Sequence, residues 1–598
     1  MNDHTIPKRN EVKREDTWNL DHLYTSVDEF NKDLDAIKLL SEKAPSFIGT
    51  IKESKENLLT VLDYLSEVGV LSERVMQYSQ LRHAADGSDN ENQRLKSIVI
   101  TLLTEFAAQT SYIEPEILAI DESLITSWLM DSMFDDYRIM VNKMLRYKPH
   151  VLSGEMEHMM ALQSEVGSGA SETFSALTNI DFDFGSIKTE EGEIPLSQST
   201  YSLFMQHSDQ NIREKAFTQF YNTFKSHENT LASLYNTSVK QDIFRSKVRK
   251  YENVRSMFLF GDKVEDAVYD SLIQSVKEAL PSLHRYYNIR KKVLGVETLN
   301  HYDVYAPMVD GVKVKHTYEE AVSVITEALS PLGQEYQQTI NKGLLGDRWV
   351  DRYENKGKRA GAFSSGIYSG PPFILMNYHE DVIRDVFTLA HEGGHSMHSY
   401  YSAKNNPFPS YDYTIFEAEV ASTFNEQLLA HYLLNNTDDP IMKKYIISKQ
   451  LDDTVATLYR QTMFAEFEHI IHSLAQKGEP ITVQLLRSEY RSLLEQYFGK
   501  EVALREESDL EGLRIPHFYR AFYVYKYATG ISAAIALSQK VLHGGDKERN
   551  DYLAFLSSGG SKYPIESLRL AGVDMSSPEP VRDALKTFDT LLDQFSTL

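Results

Sequence analysis

One run constrains this 598-residue chain more than any other: Phe387-Thr-Leu-Ala-His391-Glu392-Gly393-Gly394-His395-Ser-Met-His398. On a helix, residues four apart share a face one turn from each other. His391 and His395 can therefore aim two imidazoles at a single cation. Glu392 flanks that face, where its carboxylate can hold a metal-bound water without ligating the metal. This is the His-Glu-x-x-His zinc pattern, with the glutamate as general base. Val382, Val386, Leu389 and Ala390 give a buried stripe before it, and Asn377 through Asp381 give the polar, acidic start that a helix prefers. Two adjacent glycines inside a helix cost about 1 kcal/mol each relative to alanine, so they predict another backbone passing very close to that turn.

A catalytic zinc keeps three protein ligands and one open position. His398 is on the right face, but it would draw all three ligands from one straight helix. A third histidine at metzincin spacing would fall at position 401, which is Tyr401, and the glycine of that pattern is replaced by His398; that class is excluded. After the break Asn405-Asn-Pro-Phe-Pro409, a second helix is predicted from Tyr413 to Glu426. Glu417 and Glu419 are about 200° apart on it, so one of them faces the metal. Glu417 shares its side with Val420, Ala421, Phe424 and Leu428, as in a core; Glu419 shares its side with Ser422, Thr423 and Glu426, as beside a wet cleft. Glu419 is the expected third ligand and Glu417 the fallback.

His-Glu-Gly-Gly-His, followed by Phe416-Glu-Ala-Glu-Val-Ala-Ser422, resembles the M3 metallopeptidases of the thimet oligopeptidase superfamily, and within it the bacterial oligoendopeptidase F branch. The resemblance spans residues 115 to 590 and is sharpest from 360 to 530. It implies that His391, His395 and Glu419 bind one Zn2+ per chain and that Glu392 is the base. It also implies a mainly α fold: a large helical, two-lobed zincin peptidase with a small β-sheet near the zinc helix and a deep substrate channel. Short peptides, rather than folded proteins, are the implied substrates.

Composition sets the limits. The chain is 42% hydrophobic, enough for an ample core in two or more lobes. It has no cysteine, which excludes disulfides and cysteine-based metal sites or nucleophiles and suits a reducing cytoplasm. The N-terminus has no apolar h-region, and no run approaches a membrane span. The net charge of −24 argues against nucleic acid as a partner. Neither monomer nor homo-oligomer is selected by any pattern.

Residues 18 to 165 read as successive amphipathic helices, among them Val27–Leu40, Glu56–Leu71 and Glu91–Gln109. A hairpin is expected from Ile180–Ile187 and Glu193–Leu196. A boundary near residue 200 follows, dividing an N-terminal helical lobe (1–200) from a catalytic domain (201–598). The Tyr- and Phe-rich helices of Ser208–Leu294 read as core, and His469 and His472 as core or helix-surface histidines rather than a metal pair. Between Gly361 and Asn377, glycines and Pro371-Pro372 bound a short apolar run that fits an edge strand, to which an extended peptide can pair. In Ile515–Gly530, five hydrogen-bonding rings fall within eleven residues, and a helix would set Tyr523 and Tyr527 on one face. Such donors near the metal would stabilise the oxyanion of amide hydrolysis. The resemblance matches His517, Tyr523 and Tyr527 to that role, and Tyr519 and Tyr525 less securely. The function expected is zinc endopeptidase. The alternatives are a zinc carboxypeptidase of related helical fold and a peptide-binding protein whose structural zinc is closed by a fourth ligand such as His398.

Overall fold

The computed structural model describes residues 6–190, 192–309, 312 and 315–598, the Glu165 side chain aside. Helices dominate, and strands form three small sheets among the described residues. The chain makes two compact units, neither of which is one continuous run. One takes Met1–Lys148, Lys313–Asn435 and Ala534–Val573; the other takes Pro149–Val312, Asn436–Ala533 and Asp574–Leu598.

The first unit opens with three helices whose starts are set by side-chain caps. Ser26 precedes Val27–Ser41, Ser54 precedes Lys55–Ala85 and Asp89 precedes Asn90–Thr110, each accepting a backbone N–H of the first turn. The middle helix runs fourteen residues past the expected end at Leu71, because nothing breaks it until Asp86-Gly87. Phe30, Leu34, Val68, Val75, Leu95 and Val99 form one core with Phe373 and Leu375.

Those last two belong to a three-stranded sheet: β1 (Val350–Asp351), β2 (Phe363–Ser365) and β3 (Phe373–Leu375), in the order β1-β3-β2. β3 pairs parallel to β1 and antiparallel to β2. The expectation of an edge strand at the apolar run is therefore corrected. Phe373, Ile374 and Leu375 are all buried and central, as an unbroken apolar run is when both faces are covered. The prolines precede the strand, and β2 is an edge.

In the second unit the expected hairpin is present, with Ser186–Thr189 antiparallel to Gly192–Pro195. Its first strand begins later than predicted, because Leu177–Asp181 continues the preceding helix. Phe217, Phe220, Tyr221 and Phe224 are buried, as expected of core. His472 is buried as well, between Asp242 and the Glu468 carbonyl, while His469 is half-buried against the Tyr269 ring. Among the described residues, no helix is long and apolar enough to cross a membrane.

The histidine pattern lies on Ile383–Asn405, hereafter the histidine helix, and Ile415–Asn435 follows as the glutamate helix after the short turn Phe408–Tyr411. The close backbone that the paired glycines predict is there. A Cβ at Gly394 would stand 2.5 Å from the Ala421 carbonyl oxygen and 2.6 Å from Ser422 Cα. At Gly393 the nearest atom is the Ile340 δ-methyl, at 3.0 Å, the far end of a flexible side chain. Gly394→Ala should therefore cost about 1–3 kcal/mol by overpacking. Gly393→Ala gains about 1 kcal/mol of helix propensity and should stay near wild type. Urea unfolding of the two variants side by side checks the contrast; equal midpoints would show that the helix contact is not rigid.

Candidate metal centre

His391 and His395 leave the histidine helix one turn apart, with ring centroids separated by 4.8 Å and planes at 82°. Glu419 comes from the second turn of the glutamate helix and places a carboxylate oxygen 3.8 Å from His391 Nε2. One donor atom from each of the three lies within 4.8 Å of the other two, the sole such trio among the described residues. Glu417, the fallback, lies outside it: its side chain is buried and accepts from the Thr414 N–H at 3.3 Å. His398 is also outside, fully buried and stacked 3.6 Å from Tyr413.

Both imidazoles are held from behind. His391 Nδ1 hydrogen-bonds Glu426 Oε1 at 2.7 Å, which keeps a proton on Nδ1 and turns Nε2 toward Glu419. A ring N–H of His395 donates to the Ala418 carbonyl. Partners of this kind fix tautomer and ring orientation in metal-binding histidines. The two helices are tied again by Asn425, which donates to the Ala390 carbonyl at 3.2 Å. Glu426 was visible in the sequence only as a neighbour on the Glu419 face, two turns on; its contact with His391 spans thirty-five residues.

The electrostatics fit a cation. Burial pushes His395 down to about 3, with His391 adding to the effect, so its ring is neutral and free to ligate. At His391 burial works the same way, but the Glu426 hydrogen bond and the charges of Glu426, Glu392 and Glu419 outweigh it and raise the ring to about 9. Glu392 is pushed up to about 7 by burial, and Glu419 adds to this, against a hydrogen bond from the Ser364 backbone on β2. Burial also raises Glu419, where the neighbouring charges that count are His391 and Glu426. Two imidazoles and three carboxylates thus crowd one spot, a set that a divalent cation neutralises and that suits nitrogen and oxygen ligation.

The expected aromatic donors lie in the second unit. His517, on the short turn Pro516–Tyr519, hydrogen-bonds the Tyr523 hydroxyl through Nδ1. Ring centroids are 5.5 Å apart for His517 and Tyr523, 6.4 Å for His517 and Tyr527, and 5.8 Å for the two tyrosines. The rings converge, but not on one helix face as expected, since the helix begins at Tyr525 and Tyr523 lies in the turn before it. Phe522 bends that turn with φ +55°, and its N–H donates to the buried Glu468 carboxyl at 3.1 Å. Tyr519, half-buried, stacks on Phe174 at 4.4 Å, and Tyr525 is buried beside Tyr269, so Tyr525 reads as core.

Residues 203–587 match the family described as Peptidase family M3, and residues 116–184 match one described as Oligopeptidase F. The chain is 43% identical to an oligoendopeptidase F homolog of Borreliella burgdorferi over 99% of both chains. It is 42% identical to the oligopeptidase PepF of Bacillus subtilis, over 99% of this chain and 88% of that one. Among solved structures, oligoendopeptidase-F from Enterococcus faecium superposes with a TM-score of 0.74 at 32% identity, covering 95% of this chain and 98% of that one. A Chlamydophila abortus structure superposes at 0.93 with 36% identity, covering 99% and 100%.

Removing the carboxylate behind His391 should loosen the ring without deleting a ligand. Glu426→Ala is expected to weaken divalent-cation binding by about 10–100-fold, read by competition with a chromogenic chelator. Unchanged affinity would mean that Glu426 does not orient His391.

Proposed function

The chain belongs to peptidase family M3, and on that footing we propose that it is a zinc-dependent endopeptidase cleaving internal bonds of short oligopeptides. The observation that carries this reading is the convergence of His391, His395 and Glu419 from two helices, with Glu392 alongside. These three side chains would hold zinc. When bound, zinc supplies Lewis acidity, polarising the scissile carbonyl and acidifying water. Glu392 takes the proton of the attacking water and returns it to the leaving amine. Its carboxyl, raised to about 7 by burial, is suited to both halves of that exchange. His517, Tyr523 and Tyr527 are the candidate hydrogen-bond donors to the oxyanion. The substrate-pairing role expected of the apolar run passes to β2, because the central strand β3 has neighbours on both sides.

Both groups of side chains fall within residues 201–598, which we take as the catalytic domain. Absence of cysteine supports action in the cytoplasm. The structural-zinc alternative draws no support from His398, which stands outside the trio, stacked on Tyr413, and no fourth ligand joins the trio among the described residues.

Glu392→Gln should retain the cation yet lose cleavage of an end-blocked peptide by about 10²–10⁴-fold. Near-wild-type turnover would remove Glu392 from the mechanism. Mass spectrometry of the same peptide should show internal cuts that a chelator abolishes and zinc restores. Ragged trimming of unblocked peptides from the C-terminus alone would point instead to a carboxypeptidase.

A further inference from the structure

Close to His517, the second unit holds a positive charge that its surroundings neutralise only by half. Glu511 is buried and accepts through Oε2 from Arg460 at 2.5 Å and from the Tyr490 hydroxyl at 2.8 Å. Its other oxygen, Oε1, stands 3.6 Å from Arg514 Nη2. One carboxylate is thus shared between two guanidiniums. Neighbouring His301 adds no charge, since burial pushes it down to about 4. Arg514 also hydrogen-bonds Tyr221, lies over the Tyr201 ring and is near Tyr305, none of which brings a counter-charge, and its Nε has no partner among the described residues. Both guanidiniums stay protonated, so Arg460, Arg514 and Glu511 sum to +1. A cation held away from bulk water without a full counter-charge is costly.

That charge is also reachable. The Arg514 side chain is 24% exposed and Tyr305 is 45% exposed. Tyr305 is nevertheless raised by removal from bulk water, and Arg514 is near enough to His517 to depress it. A guanidinium that is partly open to water presents a planar fork of donors that matches a carboxylate in both shape and charge.

We propose that Arg514 is a recognition subsite for a carboxylate of the peptide substrate, beside the ring cluster of His517, Tyr523 and Tyr527. This rests on the peptidase reading and adds a substrate class to it: peptides that carry a carboxylate at a set distance from the bond cut. Two sources share that chemistry, the free C-terminus and an Asp or Glu side chain.

The test uses matched peptides ending in a free acid or an amide, in a ladder that moves the carboxylate outward from the scissile bond. The wild-type enzyme should prefer the acid by about ten- to a hundredfold in kcat/KM at one ladder length, with the difference in KM. Arg514→Met should erase that preference while still cleaving the amide, and Arg514→Lys should keep part of it. A preference that instead follows an Asp or Glu side chain in amidated peptides, and disappears in Arg514→Met, assigns the subsite to side-chain carboxylates and supports it equally. No preference for either carboxylate in wild type, or one that survives in Arg514→Met, overturns the proposal. Cleavage of the amide by wild type keeps the peptidase reading intact in that event, whereas failure to cleave any peptide overturns both. Should Arg514→Met not fold, inhibition of wild-type amide cleavage decides: a short free-acid peptide at least tenfold more potent than its amide supports the subsite, and equal potency overturns it.

Discussion

Where the histidine helix lacks a side chain at residue 394, it meets bare backbone of the glutamate helix at Ala421 and Ser422. That contact lies one residue before His395 and two after Glu419. The spacing between imidazoles and carboxylate is therefore set by two main chains in contact, not by long side chains free to adjust. Close-packed interiors deform little, and a ligand set built on rigid elements keeps its geometry when a cation or substrate arrives. The Asn425 bond to the Ala390 carbonyl secures the same pair of helices one turn away.

Close approach has an electrostatic consequence. Glu392 and Glu419 are brought near Glu426 in a partly dry setting, where burial makes these two carboxylates hold protons more tightly than in water. His391 and His395 answer differently to the same burial. Against burial, the Glu426 hydrogen bond and the nearby carboxylates raise the first, whereas burial lowers the second, whose ring N–H donates to the Ala418 carbonyl. The second unit repeats the theme with opposite sign, where two arginines share the one carboxylate of Glu511. Uncompensated charge in partly enclosed places is what a substrate, a cation or a reacting proton can use.

Local periodicity made part of this legible. The four-residue spacing of His391 and His395 and the neighbours of Glu417 and Glu419 are properties of one or two helical turns, and the structure brings together the glutamate whose neighbours were polar. The paired glycines were readable for a similar reason, since their cost to a helix demands a close neighbour. What stayed hidden depends on distant chain. Glu426 acts behind His391 across thirty-five residues. The strand at Phe373 is central because Val350, more than twenty residues earlier, pairs with it. Tyr523 leaves its helix because Glu468, fifty-four residues away, holds the Phe522 turn. The interleaving of chain segments in the two compact units is likewise a matter of long-range packing.

The claim on which the rest depends is that one zinc ion is gripped by side chains of both helices with a coordination place left for water. Elemental analysis of the purified chain, joined to X-ray absorption at the zinc edge, tests it most directly. One zinc per chain is expected, with two imidazole nitrogens and a carboxylate oxygen from the protein and a further light atom from solvent. A chain that cleaves peptides without stoichiometric metal, or one whose zinc is enclosed by four protein side chains, would contradict it.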